Sequence, residues 1–366
     1  MAIIGINASQ LEVQEKSGIE FTVESMIDEF VRVTELRGTR LRLYVPRALK
    51  RAYPSHVEIC VLPWPFTFLW TQIRLGIELV VRPPTAFLDL SNFLPALGLC
   101  SRSRQYFFAH DYSFITFPMR YRFSRLLLMH VGNFVSCMNA KAIFTPTDAT
   151  AQQCKTLFPY WKHKVHTVGL GVRQRILEGL PRAKNPESVP LDKPYFLFVG
   201  RIGGMVDGRK NLDQLIMGFH RWNHARGNTH RLVLCGRDDG DTERLRDFAG
   251  SIGCAEVVFT GFVSDQELVN LFMHCDAVVF PTRGEGFGLP IIEGLTAGKR
   301  VLVSTQTGGV SKTLAEYLTF CEPDAFGIAE GLDRLIASKP KRLLRWKTYR
   351  EVVEEMYEII INQSAS

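Results

Sequence analysis

"DAVVFPTRGEGFGLPIIEGLTAGKRVLVS", Asp276 to Ser304, changes texture three times. "DAVVFP" is a short apolar, β-branched run that reads as a buried strand. "TRGEGFG" is a glycine-rich turn. "LPIIEGLTAG" opens a helix with Pro290 in its first turn, and "RVLVS" is a second apolar strand. Strand, turn, helix and strand in that order is the pattern of a parallel βαβ unit. The glycines let backbone N–H groups approach a ligand, and the helix start adds partial positive charge and unpaired donors, which suits a phosphate or diphosphate. The two carboxylates are therefore not equivalent. Glu293 falls one turn into the helix, where it can reach vicinal hydroxyls such as those of a ribose. Glu285 stays in the turn and is free to face what lies beyond the phosphates.

The same alternation extends outward. "YFLFVG" (195–200), "RLVLCG" (231–236) and "VVFTG" (257–261) read as further apolar strands. Helical stretches fall between them, one opened by the capping box "SDQE" (264–267). Nearly continuous apolar strands separated by helices signal a parallel sheet covered on both faces. The first half repeats the pattern less tidily. Strands are expected at "AIIGIN" (2–7), "LRLYV" (41–45), "VEICVL" (57–62), "QYFFAH" (105–110), "AIFTP" (142–146) and "KVHTV" (164–168). Helices are expected at about 19–37, at 67–81, at "FSRLLLMHVGNFVSCM", and after Thr147, which can cap the one running to about Phe158. "EGLPRAKNPESVPLDKP" (178–194), with four prolines and mixed charge, reads as a linker. The expected architecture is α/β: two doubly wound, Rossmann-like domains facing across a cleft, with ligands at the carboxyl ends of the strands. The boundaries are 1–177, the linker 178–194, 195–344, and a C-terminal helix in 345–366 that can cross back to the first domain.

Composition agrees with globular domains: 366 residues, 46% hydrophobic and 22% charged. A net charge of +7 points to a partner with negative charge, whether a phosphorylated ligand, a membrane surface or nucleic acid. None of the eight cysteines forms a C-x-x-C pair, and most sit in apolar runs such as "LVLCG", so reduced core thiols in a cytoplasmic protein are expected. "MAIIGINASQ" lacks the features of a signal peptide, and no apolar run reaches the roughly 18 residues that a membrane span needs.

"FPTRGEGFGLPIIEGLTAGKRVLVS" resembles the donor-site signature of the retaining glycosyltransferases of family 4, which have the GT-B fold. The resemblance extends in order over "FVGR", "RKNLDQLIMGF", "LVLCG" and "TGFVSDQELVNLF", so it covers essentially the second half. It implies a nucleotide-sugar donor, with Glu293 on the ribose and Glu285 by the transferred sugar. Gly286, Phe287, Gly288 and Leu289 would meet the sugar and diphosphate, with Gly261 also among the donor-binding residues. No metal and no cofactor are implied, only a GDP- or UDP-sugar as substrate. Retention is implied in the same way, by same-face attack with the departing phosphate accepting the acceptor's proton.

Four other stretches bear on the site. In "FVGRIGGMVDGRKN" (198–211), Arg201 and Lys210 are placed to stabilise charge on a leaving nucleoside diphosphate. The loop is longer than is usual in the family, so Arg209 is the alternative to Lys210. "FFAHDYSFITFP" puts His110 and Asp111 at a strand end, where the resemblance gives His110 a contact with the donor. Lys16-Ser17-Gly18 opens a helix, so the Gly18 N–H can meet phosphate. "FPMRYRFSRLLLM" (117–129) interleaves arginines with apolar residues and suits an anionic membrane surface, here the inner face. No recognised nucleic-acid module accompanies it. The expected function is transfer of a hexose, of mannose or glucose type, from a nucleotide diphosphate sugar to a glycan or lipid-linked acceptor. The rivals are a nucleotide-sugar epimerase, a two-carboxylate glycosidase and a binding protein without transferase activity.

Overall fold

The computed structural model describes residues 2–12, 18–66, 69–116, 123–190, 192–203, 208–309, 312–341 and 345–365. The chain divides into two compact units, Met1–Gly171 with Lys347–Ser366, and Val172–Trp346.

The first unit is built on seven strands: β1 (Ile3–Asn7), β2 (Arg40–Val45), β3 (Val57–Val61), β4 (Ala86–Asp89), β5 (Arg104–Phe108), β6 (Ala142–Thr145) and β7 (Val165–Thr167). They lie in the order β3-β2-β1-β4-β5-β6-β7, every pair parallel. Its helices are α1 (Gly18–Leu36), α2 (Gly76–Val81), α3 (Ser113–Thr116), α4 (Phe123–Asn139) and α5 (Asp148–Leu157). Strand residues Ile4, Ile6, Leu41, Leu43, Phe87 and Phe107 are almost fully buried, each contributing roughly 1.5–3 kcal/mol relative to exposure. Thr147 caps α5, its hydroxyl accepting from the Thr150 N–H at 3.1 Å. The helix expected over 67–81 begins instead as a π-type stretch, Trp70–Leu75, before α2 continues it, and Thr67 and Phe68 lie outside the described residues.

The second unit has six strands: β8 (Tyr195–Val199), β9 (Arg231–Cys235), β10 (Val257–Gly261), β11 (Ala277–Phe280), β12 (Arg300–Ser304) and β13 (Thr319–Cys321). Their order is β10-β9-β8-β11-β12-β13, again all parallel. Its helices are α6 (Gln174–Gly179), α7 (Leu212–His224), α8 (Thr242–Ser251), α9 (Asp265–His274), α10 (Leu289–Thr296) and α11 (Ala325–Ala337). In both sheets the chain winds outward from a central strand, crosses over, and continues on the other side. β1 and β4, and β8 and β11, therefore flank the switch points where such sheets bind ligands.

Residues 178–194, read above as a linker, are packed into the second unit. Val189 is 3% exposed within its core. The Glu267 carboxylate, at the start of α9, accepts from the Glu187 and Ser188 N–H groups at 2.8 Å each and from the Ser188 hydroxyl. That corrects the capping box as well. Ser264 does accept from the Glu267 N–H at 3.2 Å, but the Glu267 side chain turns to residues 187 and 188. The last helix, α12 (Tyr349–Ala365), belongs to the first unit. The Tyr349 hydroxyl meets the Thr22 hydroxyl at 3.1 Å, and the Tyr357 hydroxyl meets that of Thr39 at 2.5 Å. Seven of the eight cysteines are buried and all are free; burial pushes Cys275 up to about 12 and Cys235 to about 11, which keeps these thiols protonated.

Candidate active site

Two loops leave the switch point of the second sheet. One follows β8 and runs from Gly200 to Asn211, with residues 204–207 outside the described residues. The other follows β11 and holds Glu285. Because β8 and β11 are parallel neighbours, both loops emerge on the same edge. The Asn211 amide donates to the Pro281 and Pro323 carbonyls at 3.0 and 2.7 Å, and the Arg283 N–H donates to the Arg209 carbonyl at 2.8 Å. Lys210 is thereby set over the glycine turn, where its Nζ donates to Glu285 Oε1 at 2.6 Å. Both side chains are largely shielded, 13% and 12% exposed, and the ammonium lies 5.3 Å from the centre of the Phe280 ring. Reduced solvent screening strengthens such a pair relative to an exposed one.

Arg201 turns instead to the end of the loop after β9. It is half exposed, and its Nε donates to Asp239 Oδ2 at 2.6 Å; Arg237 shares that carboxylate at 3.2 Å. Arg209 meets the second loop through its backbone carbonyl. Gly261 ends β10 at φ 68°, its carbonyl accepting from the Gly236 N–H.

Gly288 precedes α10 at φ 84°, a left-handed conformation that favours glycine. It turns the chain so that Leu289 and Pro290 begin the helix. Phe287 packs at 6.1 Å, centre to centre, from Trp346. The turn is held from the far side by the loop after β12. Glu285 N–H donates to the Thr307 carbonyl at 2.8 Å, and a Cβ on Gly309 would stand 2.8 Å from Phe287 N and 2.9 Å from the Glu285 carbonyl. Thr307 and Gly309 are parts of the site that the sequence reading missed, although "QTGG" (306–309) after an apolar strand is a signal of the same type.

Glu293 lies on the inward face of α10 and is 0% exposed. Both of its oxygens are engaged by Arg173, with Nε to Oε1 at 2.5 Å and Nη2 to Oε2 at 2.8 Å. Arg173 is a third residue that the sequence did not announce. It directly precedes α6, 120 positions from its partner, and no local pattern announces it.

On the first sheet the corresponding edge is built from Asn7, Asp89 and His110. The Asn7 amide donates to Asp89 Oδ2 at 2.9 Å, and the Ser91 N–H donates to Asp89 Oδ1 at 2.7 Å. Burial pushes the Asp89 carboxyl up, against the hydrogen bonds from Ser91 and Asn7 that favour its anion. His110 is 6% exposed; its backbone N–H donates to Asn92 Oδ1, and its Nε2 lies 2.7 Å from the Leu90 carbonyl. Burial lowers the pKa of the imidazole, opposed by the Leu90 carbonyl and by Asp111 and Glu20. Asp111 is partly exposed beside it, and Gly18 is the exposed first residue of α1; Lys16 and Ser17 lie outside the described residues.

Among the described residues no group of three His, Cys, Asp or Glu is placed to hold a metal ion.

Residues 181–352 match the glycosyl transferases group 1 family. That segment contains Arg201, Lys210, Glu285 and Glu293, and spans nearly all of the second unit. The chain is similar to the serotype-specific mannosyltransferase WbdA of Escherichia coli, with 33% identity over 106 residues, 28% of this chain and 13% of that one. It is also similar to O-antigen chain mannosyltransferase B of Escherichia coli, with 28% identity over 204 residues, 54% of this chain and 52% of that one. The chain thus spans about half or less of these curated relatives. Among solved structures, sucrose-phosphate synthase from Thermosynechococcus elongatus superposes with a TM-score of 0.71 at 14% identity, over 100% of this chain and 98% of that one. Anabaena HepE in complex with UDP and glucose gives 0.62 at 15% identity, over 100% and 98%. At such identities the likeness concerns the fold, which is the two-domain, Rossmann-like GT-B fold.

Proposed function

We propose that the chain is a retaining glycosyltransferase of family 4 that moves a hexose, of mannose or glucose type, from a GDP- or UDP-sugar to a glycan or lipid-linked acceptor. The observation behind this is the shielded Lys210–Glu285 pair at the switch point of the second sheet, on a glycine turn that opens a helix. A cation and an anion held there answer two needs of a sugar nucleotide. Lys210 and Arg201 oppose the charge of the diphosphate, and Glu285 accepts from hydroxyls of the sugar. The backbone of Gly286, Phe287, Gly288 and Leu289 and the start of α10 meet the phosphates. Arg209 and Gly261 border that edge, and Glu293 marks its nucleotide end. The match to a family of glycosyltransferases and the similarity to two mannosyltransferases support the same reading.

In the reaction the bond from the anomeric carbon to the diphosphate oxygen breaks and a bond to the acceptor hydroxyl oxygen forms on the same face. The hydroxyl proton passes to the departing phosphate oxygen, so no protein base is required. Neutralising the leaving group before it departs lowers the barrier without reorganisation. His110, Asp111 and Gly18 of the first unit are assigned to the donor sugar and phosphate side. No metal enters this scheme.

The acceptor reading extends to an anionic membrane surface on the cytoplasmic side. Phe123, Leu127, Val131, Phe134 and Met138 of α4 recur at three- and four-residue spacing and are all between 44% and 80% exposed. From Tyr112 to Thr147 the sequence has no Asp or Glu but has Arg120, Arg122, Arg125 and Lys141. Phe117 to Arg122 lie outside the described residues. Among the described residues no helix is long and apolar enough to cross a membrane.

The test is incubation with GDP-mannose or UDP-glucose and detection of free nucleotide, with and without a glycan acceptor. Acceptor-dependent release that is lost in Glu285→Ala and Arg201→Ala is expected. Interconversion of sugars without an acceptor would point to an epimerase instead. Cosedimentation with phosphatidylglycerol vesicles, lost on Leu127→Ser with Val131→Ser, checks the membrane contact.

A further inference from the structure

Only one nitrogen of the Arg201 guanidinium is engaged. Its Nε donates to Asp239 Oδ2 at 2.6 Å, and neither Nη group makes a hydrogen bond among the described residues. The side chain is 46% exposed, against 28% for Asp239. The nitrogen nearest the backbone is therefore tied down while the outer face of the fork is open. The carboxylate that ties it is itself restrained, since its other oxygen, Oδ1, accepts from Arg237 Nε at 3.2 Å.

The backbone holds the two residues in register. Beyond the ends of β8 and β9 the pairing continues as a parallel bridge between Ile202 and Asp238. The Ile202 N–H donates to the Arg237 carbonyl at 2.8 Å, and the Asp239 N–H donates to the Ile202 carbonyl at 2.7 Å. Ile202 is 1% exposed, and Arg201 beside it is on the solvent side, as alternation along an extended stretch requires. A Cβ on Gly203 would stand 2.6 Å from Asp239 Cβ, so the two loops touch there. Both leave the carboxyl edge of the sheet, as does the loop that carries Glu285.

Fixing a mobile arginine on a ligand costs affinity, because its rotamer freedom is lost on binding. An arginine already held through Nε has lost that freedom, and Nη1 and Nη2 remain free to donate to two anionic oxygens. To stability such a half-exposed pair contributes little. Its consequence is the direction of the guanidinium.

We propose that Asp239 is the positioning residue of Arg201: it holds Nε so that Nη1 and Nη2 face the diphosphate of the donor. This rests on the reading of the edge as a nucleotide-sugar site. The carboxylate keeps its arginine when the diphosphate arrives. Its own negative charge acts against an anionic ligand, so positioning and repulsion have opposite signs and are separable by experiment.

Calorimetric titration with UDP, GDP, UMP and GMP, beside thermal melts, tests it in the wild-type chain, in Arg201→Met, in Asp239→Ala and in the Arg201→Met/Asp239→Ala double variant. A wild-type chain that binds neither diphosphate overturns the donor-site reading, and unchanged binding in Arg201→Met removes Arg201 from it; the proposal falls with either. Given binding that Arg201→Met weakens, Asp239→Ala is expected to lose roughly tenfold in affinity for the nucleoside diphosphate, the scale on which outer partners tune a ligand-holding group. The monophosphate, which lacks the outer phosphate, should lose less, and the melting temperature should stay near wild type. Adding Asp239→Ala to Arg201→Met should cost no further diphosphate affinity, because the aspartate acts through the arginine. Unchanged or tighter diphosphate binding in Asp239→Ala overturns the proposal, since a carboxylate that only repels the ligand or competes for Arg201 gives that sign. Equal losses for mono- and diphosphate overturn it as a general distortion of the loop, and a further loss in the double variant overturns it as well. If Asp239→Ala does not fold, Asp239→Ser, too short to reach Arg201, replaces it. Wild-type diphosphate affinity in that protein overturns the proposal, and a loss greater for the diphosphate than for the monophosphate supports it.

Discussion

The carboxyl edges of the two sheets share one winding pattern and differ in chemistry. Around the switch point of the first sheet, Asn7, Asp89 and His110 are buried; the Asp89 carboxyl accepts from the Asn7 amide and Ser91, and the His110 ring meets the Leu90 carbonyl. The Asp89 carboxyl is pushed up and the His110 pKa pushed down, both towards the uncharged form. Around the switch point of the second, charge is kept and paired: Lys210 with Glu285, Arg201 with Asp239, Arg173 with Glu293. Buried groups hydrogen-bonded to amide, hydroxyl and carbonyl partners stiffen an edge. Paired charges near a surface can exchange partners when a charged ligand arrives, so they suit a site that binds and releases an anion. The same topology therefore carries buried polar contacts at one edge and paired charges at the other.

The largest effect that would break this contrast is on activity. Glu285→Gln removes the charge but keeps the shape, and transfer from a sugar nucleotide is expected to fall by roughly 100-fold or more, the cost of losing one preorganised polar group. A melting temperature close to wild type should accompany that loss. If the melt collapses while residual activity per folded molecule is unchanged, the second edge is structural as well.

Next comes Asn7→Ala in the first unit. It strips the buried Asp89 of a donor and should cost about 1–3 kcal/mol of stability in denaturant unfolding. Nucleotide affinity should stay near wild type; a loss there instead would bring Asn7 and Asp89 into donor binding.

A smaller effect concerns acid. The folded state holds His110 at a pKa below its ordinary 6.5, so the unfolded chain takes up the proton first as pH falls. The stability contribution is present above about pH 6.5 and is lost as pH drops through the lowered value. Melting temperature should decline from pH 7 to pH 5, and the decline should be shallower in His110→Gln. An equal slope in both proteins would remove His110 as a contributor.

The smallest expected effect is Tyr357→Phe, which deletes the hydroxyl bond to Thr39 and should cost about 1 kcal/mol. No change in the melt would mean that this hydroxyl pair contributes nothing to holding α12.

The strands around Glu285, the helix that starts at Leu289, and the cap at Thr147 were legible because each is a local pattern. Apolar runs, a glycine turn and a capping hydroxyl are read within a few residues. The placement of Lys210 near the glycine turn was partly legible, since a loop after one strand and a loop after a neighbouring strand share an edge. The burial of Glu293 was not. Helical spacing allows it to face a ligand or the core, and the choice came from a partner 120 positions away. Residues 178–194 misled for a related reason. Four prolines give the segment the composition of a linker, but the backbone N–H groups of residues 187 and 188 found an acceptor in Glu267, some 80 positions on.

By itself, then, the sequence determined the alternation of strand and helix, the glycine turn before α10 and the difference in kind between Glu285 and Glu293. All of these follow from short-range sterics and periodicity. Only the tertiary structure decided which charges meet. Lys210 reaches Glu285 because β8 and β11 lie side by side, and Arg173 reaches Glu293 because the entering chain packs against α10. An ion pair is a matter of a few ångströms in space, and that distance is set by the order of strands in the sheet rather than by the order of residues in the chain.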